Sequence, residues 1–152
     1  MKKFIIRTFD KIILALLTVA GWTTACDEPM AEYGTPTADY VIKGTVTDSI
    51  SNQSLKNIRI IRQTNNIGLQ SDTTYTDLNG YYQFSFSGFP EEHPEFKLIT
   101  ADIDGNQNGG DFETRNVSVL ISSTDRTEKG DNHWYQGKFV KKQDIKLHYK
   151  LK

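Results

Sequence analysis

The chain has 152 residues, 24% of them charged and 11% aromatic, a composition that folds and leaves room for one ordinary domain after any targeting segment. The net charge is -1, and setting aside residues 1–25, with Lys2, Lys3, Arg7 and Lys11 against Asp10, leaves a more acidic remainder that lacks the basic stripe nucleic acid requires. A single cysteine, Cys26, excludes an intrachain disulfide and calls for another explanation.

The N-terminus supplies one. Basic residues precede the apolar run Ile12–Ala20, which falls short of the roughly 20 residues a spanning helix needs and matches the h-region of an export signal. Gly21-Trp22-Thr23-Thr24-Ala25-Cys26 follows, with small residues before the thiol. This stretch resembles a lipobox, where lipoprotein signal peptidase cuts ahead of a diacylated cysteine; it departs from the pattern at Thr23, where an apolar residue is usual. The resemblance implies a bacterial lipoprotein whose acyl chains, palmitate among them, hold Cys26 in the membrane, each buried methylene adding about 0.8 kcal/mol. Acidic residues at Asp27 and Glu28 resemble a sorting signal of outer-membrane lipoproteins, so the expected address is that membrane, facing the periplasm or the cell surface. The expected division is signal peptide 1–25, lipidated cysteine and tether 26–39, and domain 40–152. The tether carries Pro29, Gly34 and Pro36 and no periodicity, and fully extended it would reach up to ~40 Å.

Beyond the tether the hydrophobic pattern has period two. Tyr40–Thr47 places Ile42, Gly44 and Val46 on one face; Asp48–Leu55 reads as a turn; Ile58–Gln63 is β-branched with Arg59 and Arg62 interleaved; Asp72–Thr76 is Thr-rich. Asp77-Leu78-Asn79-Gly80 predicts a tight turn, and Tyr82, Phe84 and Phe86 then alternate with Tyr81, Gln83 and Ser85 as a half-buried strand. Phe96–Asp102 and Thr114–Ile121 are further strands around a polar loop, and Ile145, Leu147, Tyr149 and Leu151 alternate with Lys146, His148, Lys150 and Lys152. The C-terminal lysines, Lys138, Lys141 and Lys142 included, read as solvated faces and edge protection. About seven short strands and no amphipathic helix predict a single all-β antiparallel sandwich.

Three stretches taken together, Val41–Asp48 (VIKGTVTD), Leu55–Ile60 (LKNIRI) and Thr76–Phe84 (TDLNGYYQF), resemble the carboxypeptidase-regulatory-like module, which implies a transthyretin-like (prealbumin-like) sandwich. Cys26–Gly34, the loop Asp102–Gly105 with Asn108-Gly109-Gly110, and Trp134-Tyr135-Gln136-Gly137 resemble a narrower group, lipoproteins associated with radical SAM enzymes. That resemblance implies a radical SAM neighbour and no defined activity.

One loop has ligand character. Asp102, Asp104, Asn106, Asn108 and Glu113 alternate hard oxygens, with Glu113 twelve places from the start, as a calcium loop would. Gln107 and Gly109 and the flanking strands depart from an EF-hand, so calcium and a plain Asp/Asn/Gly hairpin both remain open, and calcium is the only cofactor suggested. Trp134 and Tyr135, in the expected loop Ser122–Lys138, either cap the core or form a binding surface for a protein or glycan. His93, His133 and His148 show no metal-ligand spacing, Glu91, Glu92 and Glu95 read as a charged loop, and neither a nucleophile elbow nor a phosphate loop occurs. The expectation is a tethered, non-enzymatic interaction or accessory module. A glycan- or calcium-binding surface and a substrate of a modifying enzyme are the alternatives.

Overall fold

The structure, a computed structural model, describes residues 34–64, 71–90, 94–107, 109–131 and 133–151. The signal segment, Cys26 and the first part of the tether lie outside the described residues, as does Asn108. From Gly34 onward the described residues hold nine strands: β1 (Thr37–Asp48), β2 (Ile58–Thr64), β3 (Asp72–Tyr75), β4 (Tyr81–Gly88), β5 (Glu95–Asp102), β6 (Arg115–Leu120), β7 (Arg126–Lys129), β8 (Tyr135–Lys142) and β9 (Ile145–Leu147). The one helical element described is a 3-10 turn at Ser123–Asp125.

Two sheets form the expected all-β sandwich. One runs β4-β1-β8-β7 with β9 beside the far half of β1, and the other runs β3-β2-β5-β6. Period-two alternation selects the inner faces: Tyr40, Ile42, Val46, Tyr82 and Phe84 from the first sheet meet Ile58, Ile60, Phe96, Leu98 and Val119 from the second, all buried. The aromatic cluster packs by offset and edge contacts, with Tyr40 stacked on Phe86 and Phe139 at centroid distances of 5.5 and 5.6 Å. Arg62 continues the inward parity of Ile58 and Ile60, so it is buried, its guanidinium 3.8 Å from the Phe86 ring centroid. Burial pushes its pKa down, and Asp72 opposes that shift.

Three details differ from the sequence expectation. Among the described residues there are nine strands rather than about seven, because β7 and the start of β8 occupy the expected loop Ser122–Lys138. All four residues of β7 are exposed, so this edge strand has no inward side to produce alternation. Nor is the sandwich purely antiparallel, since β1 pairs in parallel with β8 and then with β9. The change of partner falls at Gln143-Asp144, where the Gln143 N–H donates to the Lys43 carbonyl at 2.8 Å and the Thr45 N–H donates to Asp144 Oδ1 at 2.9 Å. Gly44 makes this corner possible, because a Cβ there would lie 2.0 Å from the Gln143 carbonyl oxygen. Finally, β1 starts at Thr37 rather than Tyr40, and the C-terminal alternation ends as a strand at Leu147. Tyr149 forms an isolated bridge with Phe112, and Leu151 is 93% exposed.

The expected turn between β3 and β4 is built on Asp77. Its Oδ1 accepts from the N–H groups of Asn79 and Tyr81, both at 2.8 Å, and Gly80 takes φ +70° where a Cβ would meet the Val46 carbonyl at 2.6 Å.

Candidate functional sites: the acidic loop and the aromatic end

The acidic loop starts where β5 ends. Asp102 staples both of its ends: Oδ1 accepts from the backbone N–H of Asp104 at 3.1 Å and of Gly105 at 3.2 Å, and Oδ2 accepts from Phe112 at 3.1 Å. Burial raises the Asp102 pKa above the usual carboxylate range, and neighbouring Asp104 adds to this against the amide bonds that lower it. Asp104 Oδ2 accepts from Asn57 Nδ2 at 3.0 Å, while Asn106 and Glu113 are exposed.

The C-terminal segment closes over this loop. Phe112 and Tyr149 stack with centroids 4.6 Å apart, the Tyr149 hydroxyl donates to the Gly109 carbonyl at 3.1 Å, and Gly110, at φ +135°, would drive a Cβ to 2.3 Å from the Tyr149 ring. The Glu113 N–H donates to the His148 carbonyl at 2.9 Å and the Lys150 N–H to Asp111 at 3.0 Å. The Lys150 ammonium pairs with the Asp111 carboxylate. Its pKa is raised first by that bond, and the charges of Asp111, Asp102 and Glu113 add to it. The cation facing the acidic loop is therefore a side chain of the chain itself. Among the described residues no group of three or more His, Cys, Asp or Glu side chains is gathered closely enough to hold a metal ion. The spacing argument missed Lys150 because its place in an alternating run reads as a solvated face.

At the opposite end, Trp134 and Tyr135 are half-buried rather than displayed. Trp134 lies against Gly34, where a Cβ would approach its Cγ at 3.2 Å, and its carbonyl accepts from the Thr37 N–H at 2.8 Å. Its indole Nε1 is buried without a hydrogen-bond partner among the described residues. Tyr135 opens β8, and its hydroxyl donates to Asp39 Oδ2 at 3.0 Å. Both side chains thus cap the start of β1. Beside them, an open groove of about 480 Å³ runs between Pro36 and Phe89, floored by Tyr40 and Phe139, with Arg126 on its rim.

Ser49 and His148 form a pair that local sequence does not reveal. Ser49 Oγ lies 2.9 Å from His148 Nδ1, in an exposed setting. The preceding Asp48 is buried, with its carboxylate accepting from the Ile50 and Ser51 N–H groups at 2.9 and 3.2 Å. Those bonds hold its pKa below the usual range, the Ile50 amide first. This carboxylate orders the β1–β2 turn rather than orienting the histidine.

No protein-family model matches the chain, and no curated protein does. Among solved structures, 3-chlorocatechol 1,2-dioxygenase from Rhodococcus opacus 1CP superposes with a TM-score of 0.51 at 13% identity, covering 79% of this chain and 62% of the enzyme. BcpA, the major pilin subunit of Bacillus cereus, gives 0.48 at 16% identity over 74% of this chain and 31% of the pilin. The Bacillus anthracis TIE protein gives 0.48 at 10% identity over 74% and 18%. The chain spans less than a third of each Bacillus protein. At these identities likeness concerns the fold alone, and the superposition above 0.5 agrees with the β-sandwich.

Proposed function

We propose that the chain is a bacterial lipoprotein, anchored in the outer membrane by acyl groups on Cys26, whose β-sandwich is a non-catalytic interaction module. The anchor rests on the sequence, where the only cysteine directly follows a basic and apolar export segment and a run of small residues. The module reading is carried by one feature of the geometry: the acidic side chains best placed for chemistry serve internal structure. Asp102 is engaged by three backbone amides, Asp48 by the β1–β2 turn, and Asp111 by Lys150. A radical SAM association is supported by the sequence resemblance of residues 26–34, 102–110 and 134–137. The test is intact-mass analysis and detergent partitioning of the native protein and of Cys26→Ala. Native protein should carry acyl mass and enter the detergent phase, and the variant should do neither. A variant that partitions like wild type would refute the anchor, and an additional unexplained mass would favour a modified substrate over a binding module.

A further inference from the structure

The two sheets leave five edges, one of them the three-residue β9 with its Lys146, and they are not equally protected. β3 and β7 are four residues each and carry charge, Asp72 in one and Arg126, Glu128 and Lys129 in the other. β7 also has a register irregularity, and β6 opens on Arg115. Short length, charge and bulges are the ordinary means of blocking edge-to-edge pairing. β4 has none of them: eight residues, YYQFSFSG, with no charge, no proline and an unbroken register against β1.

Which backbone groups of β4 face outward follows from its ends. The Gly80 carbonyl accepts from the Val46 N–H, so the even positions point toward β1. Tyr81 turns the other way, its N–H donating to Asp77 Oδ1 and its carbonyl accepting from the Asp77 N–H. Antiparallel ladders alternate, so Gln83, Ser85 and Ser87 each present an N–H and a C=O away from the sheet. Among the described residues nothing pairs with these groups, because β4 has β1 as its only strand neighbour.

We propose that this edge is a homophilic docking site, at which β4 pairs antiparallel with β4 of a second copy around a two-fold axis at Ser85. Of the two-fold registers, this one uses all three free positions: Ser85 faces its own copy, and Gln83 faces Ser87 in both directions. No like charges meet, since none of these residues is charged. The same register brings Tyr81 opposite Phe89 of the other copy, two aromatic residues that are 38% and 49% exposed in the single chain. An isologous contact of this kind is self-complementary and closes at two copies. The contact is a single strand wide, small beside the roughly 800 Å² per partner of a standard interface, so association is weak and depends on local concentration.

The test uses the full-length protein in its membrane. Ser85→Cys places two thiols across the axis at a Cα separation of about 5.5 Å, within disulfide range. Under mild oxidant it should form a reductant-sensitive band at twice the chain mass, well above wild type, which has only Cys26, and above Ser118→Cys on the β6 edge. Ser85→Lys, at an exposed position, sets two ammonium groups face to face and should weaken self-association of the purified full chain by about two- to fivefold, the effect of one like-charged cross-strand pair, without changing its melting temperature. Cross-linking no greater than at Ser118→Cys would overturn the proposal. So would a cross-linked band whose mass is not twice that of the chain, which would mark a different protein as the added strand.

Discussion

The phenol of Tyr82 donates to the Gln143 carbonyl at 2.6 Å, tying β4 to the corner between β8 and β9 through the gap that Gly44 leaves in β1. Burial pushes the phenol's pKa far up, and the Asp144 carboxylate adds to the shift, so the hydroxyl remains a donor at every physiological pH. Tyr82→Phe keeps the ring and leaves the carbonyl without this partner. A loss of about 1–2 kcal/mol in urea unfolding is expected, the cost of stranding a partly buried acceptor. A loss near zero would mean that water replaces the phenol.

Gly44→Ala tests the same corner from the other side. With only 2.0 Å to the Gln143 carbonyl oxygen, a methyl group has to displace backbone rather than a flexible side chain. Overpacking of this kind costs about 1–3 kcal/mol. The shift should appear as hydrogen-exchange deprotection at Gln143 and Thr45, whose amide bonds hold the corner.

Phe84 is 1% exposed and faces the second sheet, whereas Gln83 beside it is exposed. Phe84→Ala should cost about 3–5 kcal/mol by equilibrium unfolding, and Gln83→Ala less than ~0.5 kcal/mol. Equal losses would contradict the register of β4.

Asp48 sets an acid limit. Its folded pKa lies below the ordinary value because the Ile50 amide and then Ser51 stabilise the carboxylate. Its contribution is therefore fully present above the unfolded pKa of about 3.9 and is lost as pH falls through the lower folded value. Asp48→Asn should lower the melting temperature at pH 7 and flatten the decline in stability as pH falls below about 4. An unchanged acid limb would move that role to another carboxylate.

For the acidic loop, Lys150 makes a sharp expectation. With the ammonium on Asp111 and within the field of Asp102 and Glu113, a cation of the chain already faces the loop, and the melting temperature of wild type should not differ between millimolar calcium and chelator. Lys150→Met removes the counter-charge from Asp111, so this variant should melt lower than wild type in chelator. A rise in wild type comparable to the ~2.7 kcal/mol expected at a hundredfold excess over the dissociation constant would instead show calcium displacing the lysine.

Local pattern alone determined the all-β class, the inward faces of β1 and β4, the existence of β5, and the Asp77–Gly80 turn, because period-two alternation is a direct imprint of one buried face. It likewise singled out Cys26, which lies outside the described residues. Tertiary structure decided what carries no such imprint. β7 is wet on every side, so Arg126–Lys129 reads as loop; Arg62 has inward parity but a charged head, so it reads as surface. The parallel pairing of β1 with β8 and β9, the Ser49–His148 pair and the closure of Lys150 over the acidic loop each join residues far apart in the chain. A local period reports which side of a strand is dry, whereas partners such as these are set by where the sheets bring distant segments together.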